Sequence, residues 1–140
     1  MASDITFRAE SLARADASPA LARVVERFVR AFAPEAIVLF GSYAKGTQRL
    51  GSDVDVLVIA ELSGSAAFHL RRANQLAADC FPPVDIVFAT PMEIAEAASA
   101  ASPFLYSILA RGRLLHSRSL HQRAPARDVK AGSTVETGAE

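Results

Sequence analysis

Residues Ala36 to Ala60 read AIVLFGSYAKGTQRLGSDVDVLVIA, and the order of features within them decides the fold. Ala36-Ile37-Val38-Leu39-Phe40 is a short unbroken apolar run, as a strand buried on both faces requires. Gly41-Ser42 cuts the run off, and Tyr43 to Gly46 has the length of one helical turn. Leu50-Gly51-Ser52 is a turn, and Asp53 to Ala60 is a second strand.

Outward from this stretch, the pattern is helical on the N-terminal side. Ser18-Pro19 has the form of an N-cap followed by proline in the first turn. Leu21, Val24, Val25, Phe28 and Phe32 then recur at helical spacing, and Pro34 ends the helix. On the C-terminal side, Ser65 to Cys80 reads as a helix with Ala66, Leu70, Ala73, Ala77 and Cys80 on one side. Phe81-Pro82-Pro83 stops it, and Val84 to Phe88 is a third strand. Thr90-Pro91-Met92-Glu93 has the form of a capping box. Ser102-Pro103 opens another helix running to about Ala110, and Leu114-Leu115 forms a last short strand. This predicts one α/β domain over 18–116, an N-terminal segment 1–17 of open structure, and a polar, mobile tail over 117–140.

The carboxylates are misplaced for a purely structural chain. Asp55 stands inside Val54-Asp55-Val56-Leu57-Val58-Ile59, where an unpartnered charge is costly. Strand alternation projects Asp53 and Asp55 from one face, roughly 7 Å apart along the backbone. Asp85 interrupts Val84-Asp85-Ile86-Val87-Phe88 in the same way. Taken singly, each acid has an ordinary role, as a turn residue or on an exposed edge. If the two strands are neighbours, all three meet at one end of the sheet, and an all-oxygen set suits Mg²⁺ or Mn²⁺.

Gly41-Ser42 follows a buried strand, where backbone amides and the Ser42 hydroxyl are able to hold phosphate oxygens. Lys45 and Arg49 are candidates to add positive charge there, although such residues are more often solvated. Gly41 to Gly46 imitates the spacing of a Walker A loop, but Thr47-Gln48 occupies the place of Lys-Ser/Thr, which excludes a P-loop. His69, His116 and His121 share no ligand spacing, and Cys80 reads as a small core residue.

Gly41-Ser42, ten residues, then Asp53-Val54-Asp55 resembles the Gly-Ser-x10-Asp-x-Asp signature of the polymerase-β-like nucleotidyltransferase superfamily. The fuller string from Leu39 to Gly46 and from Ser52 to Val58 is similar to its minimal, stand-alone members, which usually carry arginine where Lys45 stands. The resemblance spans roughly residues 20 to 116 and implies a small mixed sheet flanked by helices. It implies that Asp53 and Asp55 ligate a metal bearing the triphosphate, and that Asp85 completes the site for a second ion roughly 3.5–4 Å away. By the same resemblance, Gly41 and Ser42 grip the β- and γ-phosphates, and Asp85 assists deprotonation of the acceptor hydroxyl. The implied reaction moves a nucleoside monophosphate, AMP from ATP, to a hydroxyl and releases pyrophosphate. Similar stand-alone members often pair with a helical HEPN-type protein, acting as its antitoxin and adenylylating its tyrosine.

Composition narrows the remaining choices. The 140 residues hold 15 basic and 15 acidic side chains, a net charge of zero, which lacks the basic surplus of a stable nucleic-acid binder. No apolar run is long enough to span a bilayer, no secretory signal is visible, and one cysteine makes no internal disulfide, so a cytoplasmic setting is the expectation. Two alternatives stay open: a small-molecule nucleotidyltransferase of the aminoglycoside type, which usually carries further helical sequence, and a non-catalytic nucleotide-binding module.

Overall fold

The structure, a computed structural model, describes residues 12–49, 52–97 and 103–118. Helix α1 (Pro19–Phe32) begins where expected, with the Ser18 hydroxyl accepting from the Leu21 amide at 3.2 Å. It buries Leu21, Val24, Phe28 and Phe32 and ends at Ala33, in the left-handed region, just before Pro34. Strand β1 (Ala36–Phe40) follows, then the single turn α2 (Ser42–Lys45) and strand β2 (Val54–Ile59). Helix α3 (Ala66–Leu76) is capped by Ser65 and crosses over to strand β3 (Val84–Ala89). Helices α4 (Pro91–Ala97) and α5 (Pro103–Arg111) precede strand β4 (Arg113–Ser117).

The four strands make one mixed sheet in the order β3-β2-β1-β4. β1 pairs antiparallel with both β2 and β4, whereas β2 and β3 are parallel and joined through α3. A parallel pair needs such a crossover because a tight turn cannot return the chain to the same direction. Alternation then divides the core in two. Ile37, Leu39, Val54, Val56 and Val58 pack with α1 and Ala73 and Ala77 of the α3 region. Ala36, Val38, Leu57 and Ile59 pack with Ile94 of α4 and Ile108 and Leu109 of α5. This is the small mixed α/β sheet with flanking helices that the sequence leads one to expect.

The capping box at the start of α4 forms in both directions: the Glu93 amide donates to the Thr90 hydroxyl at 3.1 Å, and the Thr90 amide to Glu93 Oε1 at 2.8 Å. The structure departs from the sequence reading by one residue at several element ends and more widely in the following places. Helix α3 stops at Leu76 rather than Cys80, and its buried side carries Ala73 with Ala77 beyond its end, while Ala66 is exposed and Leu70 is 40% exposed. Alanine-rich helices give weak face contrast, so the seat against α1 decides. Ser117, where the polar tail was expected to begin, is the last residue of β4, paired with Ala36 and 1% exposed. Arg14, in the segment left open, makes a parallel bridge to Leu114. The turn at Leu50-Gly51, the start of the last helix at Ser102 and the tail beyond 118 lie outside the described residues.

Phe28 is fully buried, and its ring centroid lies 5.8 Å from that of Phe32. Phe28→Ala removes a ring from the middle of one core layer and should cost about 3–5 kcal/mol. Urea unfolding followed by circular dichroism should show a lower midpoint with little change in slope. On the surface, Arg27 grips Asp79 with both guanidinium nitrogens, at 2.8 and 3.3 Å, and also donates to the Leu76 carbonyl. The hydrogen bond from Arg27 holds the Asp79 carboxyl below its usual 3.8, so its contribution is present above that pH and lost as pH falls through the lower, folded value. Asp79→Asn should therefore be slightly less stable than wild type at neutral pH, with the two curves meeting as pH falls below the folded value, a small effect because the pair is exposed.

Candidate active site

The site forms at the end of the sheet where β2 and β3 begin. In the parallel register Asp55 lies directly opposite Asp85, and on the other side of β2 it faces Phe40 of β1. Since Asp55 alternates with Val54 and Val56, it points to the layer of Leu57 and Ile59, the side covered by α4 and α5. Asp85 shares that side with Val87 and Ala89. Asp53, one residue before β2, is exposed beside them.

The three acids are unequally spaced in electrostatic terms. Partial burial pushes the Asp55 carboxyl above its ordinary 3.8, followed by repulsion from Asp85 and, less strongly, from Asp53. A hydrogen bond with Asp85 adds to the same direction. Asp55 and Asp85 thus form a close pair, with Asp53 as a flanking charge. Among the described residues no basic side chain ion-pairs with any of the three. Nor do any three His, Cys, Asp or Glu among them form a ready-made metal cage. The donor set fits a small hard cation that keeps part of its coordination for water or phosphate oxygens, as Mg²⁺ commonly does.

Gly41 ties the glycine–serine turn to this pair. Its backbone has φ 75 and ψ −152, a region open essentially to glycine alone. A Cβ at this position would overlap an Asp55 carboxylate oxygen and stand 3.1 Å from its carboxyl carbon. The chain therefore passes against the acid with no room for a side chain. Ser42 opens α2 and is half-buried. Because α2 has four residues, any pull on an anion comes from its first amides and the Ser42 hydroxyl rather than from a long helix dipole.

Lys45 is the last residue of α2 and is exposed, lining a cleft of about 90 Å³ between α2 and α5. That cleft also holds Phe40, Gly41, Phe104, Ser107 and Arg111, with the Phe40 and Phe104 rings in edge contact at 5.8 Å. Arg49 is exposed, and its backbone amide and carbonyl are both tied to Ser52. Arg111, Ser107 and Phe104 escaped the sequence reading because nothing in residues 103–111 except periodicity places that helix beside Gly41.

A mixed sheet thus sets two aspartates abreast, beside a glycine–serine turn pressed against one of them. The profile of the polymerase beta nucleotidyltransferase family matches residues 23–121, and the chain belongs to that family. Among solved structures, a chain of a toxin–antitoxin complex with AMP-PNP is similar at 22% identity and a TM-score of 0.47, covering 76% of this chain and 90% of that one. A Sulfolobus solfataricus protein provisionally assigned as a nucleotidyltransferase is similar at 18% identity and a TM-score of 0.47, covering 84% of this chain and 88% of that one. A comparison with curated proteins returned no match. Among the described residues no helix is long and apolar enough to cross a membrane.

Proposed function

We propose that the chain transfers AMP from ATP to a hydroxyl on a helical, HEPN-type partner protein, releasing pyrophosphate. The observation that carries the transfer reading is the register of Asp55 against Asp85 beside Gly41. It sets an oxygen-rich, negatively charged pair next to backbone amides able to receive phosphate. Asp53, Asp55 and Asp85 would hold Mg²⁺ or Mn²⁺, which offsets charge on the triphosphate and on the attacking and leaving oxygens. Gly41 and Ser42 hold the β- and γ-phosphates, with Lys45 adding charge from the end of α2. The acceptor oxygen bonds to the α-phosphorus, the α–β bridging P–O bond breaks, and Asp85 receives the hydroxyl proton. The partner follows from the likeness of the strings Leu39 to Gly46 and Ser52 to Val58 to stand-alone family members.

The test incubates the full chain with α-labelled ATP, Mg²⁺ and a purified HEPN-type partner. Label should accumulate on the partner with the wild-type chain and disappear with Asp55→Asn. Label on an aminoglycoside in the absence of any protein partner would reassign the acceptor. Bound ATP with no transfer to either acceptor would reduce the chain to a nucleotide-binding module.

A further inference from the structure

On the opposite face of the sheet from the acid pair, the structure carries a second concavity of about 520 Å³. Its floor is Leu21 of α1, Leu39 of β1 and Val54 of β2, all on the α1 side of the sheet. The turn from Tyr43 to Gly46 forms one wall, so a single short segment separates this concavity from the cleft beside Gly41. Arg14, Lys45 and Arg113 line it against one carboxylate, Asp16. The Arg113 Nε donates to the Ala44 carbonyl at 3.0 Å, which holds that guanidinium against the turn. Among the described residues none of the three cations has an ion-pair partner.

Two aromatic side chains complete the lining. Tyr43 is half-buried, whereas Phe81 is 73% exposed and is held by the loop leading into β3. Isolated surface cations and a lone exposed phenylalanine are ordinary. Their convergence on one recess with an apolar floor is not, because three cations facing a single carboxylate gain from an anion placed among them. The recess lies within the usual size range of small-molecule sites, and rings there can stack on Phe81 or meet a guanidinium face-on.

We propose that this recess binds an aromatic anion of about nucleoside monophosphate size, at a site separate from the acid pair. The ring lies against Phe81 and Tyr43, and the phosphate or carboxylate is held by Arg14, Lys45 and Arg113. Because the ligand abuts the segment that carries Ser42, its binding is positioned to alter the turn on which the other face depends. The site shares Lys45 with the transfer reading, and its other ligand-holding residues, Arg14, Tyr43, Phe81 and Arg113, take no part in that reading.

The test titrates the ¹⁵N-labelled full chain with AMP in excess chelator, so that no divalent ion recruits the phosphate to the acid pair. Amide shifts should centre on Tyr43, Gly46, Phe81 and Arg113. Arg14→Glu and Phe81→Ala, both at exposed side chains, should each weaken AMP by roughly tenfold or more while the rest of the spectrum stays native. Adenosine and inorganic phosphate should each bind more weakly than AMP. The proposal is overturned by equal affinity for adenosine or for phosphate alone, by unaltered AMP affinity in both variants, by shifts confined to Asp85, Val87 and Phe104, or by no saturable shift.

Discussion

Asp55→Asn should lower nucleotide transfer by about 10²–10³-fold while leaving the metal-free protein at least as stable as the wild type at neutral pH. The two halves of this expectation share a cause. The carboxylate is partly buried and faces Asp85 in register, with Asp53 nearby, so its charged form is disfavoured in the folded chain. A folded-state value raised above 3.8 means that the stabilising difference is complete below the unfolded value and disappears as pH rises through the folded one. At pH 7 the wild type therefore carries an ionised Asp55 that its surroundings oppose, and the asparagine variant does not. Melting in chelator should favour the variant at pH 7, with the gap closing as pH falls toward 4. Transfer at near wild-type rate would remove Asp55 from the chemistry. A variant less stable than wild type at pH 7 in chelator would remove the repulsion argument.

Gly41→Ala should lower both stability and transfer. The backbone at φ 75 and ψ −152 costs a side-chain-bearing residue about 1–3 kcal/mol by itself. Steric overlap comes in addition, because the new methyl group would occupy the space of the Asp55 carboxylate. Either the turn or the carboxylate must move, and a displacement of about 1 Å in a transfer site is worth on the order of 100-fold in rate. Gly46→Ala is the matched comparison. Gly46 has a similar φ of 76 but nothing within 4 Å of a built Cβ, so only the left-handed penalty of about 1–2 kcal/mol applies. Urea unfolding and labelled-ATP transfer on both variants separate the effects. Equal transfer losses at the two positions would mean that the approach of Gly41 to Asp55 has no functional content.

Together these expectations describe a site held at a cost in stability. Like charges are kept abreast by the ladder between β2 and β3, and a glycine in a conformation closed to other residues holds the turn against one of them. The ladder withstands this because the strands around it are anchored by fully buried residues such as Leu57, Val58 and Ile59. Divalent ions with nucleotide should raise the melting temperature of the wild type more than that of Asp55→Asn, since binding to the folded state alone stabilises it.

Sequence alone determined the local elements of this protein, and the reason is that their signals are local. Ser18, Ser65 and the Thr90–Glu93 box each satisfy amides within three residues, and the apolar runs of β1 and β2 have no exposed alternative. The Gly-Ser and Asp-x-Asp spacing likewise pointed to the family from a short segment. Only the tertiary structure decided that Asp85 stands opposite Asp55, that Gly41 presses on that carboxylate, that Leu70 faces outward, and that Ser117 extends the fourth strand. It also gathered Arg14, Lys45 and Arg113 around one recess from three distant parts of the chain. Periodicity assigns a side chain to a face, but which strand or helix that face meets depends on pairings between segments far apart in sequence, and no local pattern encodes those.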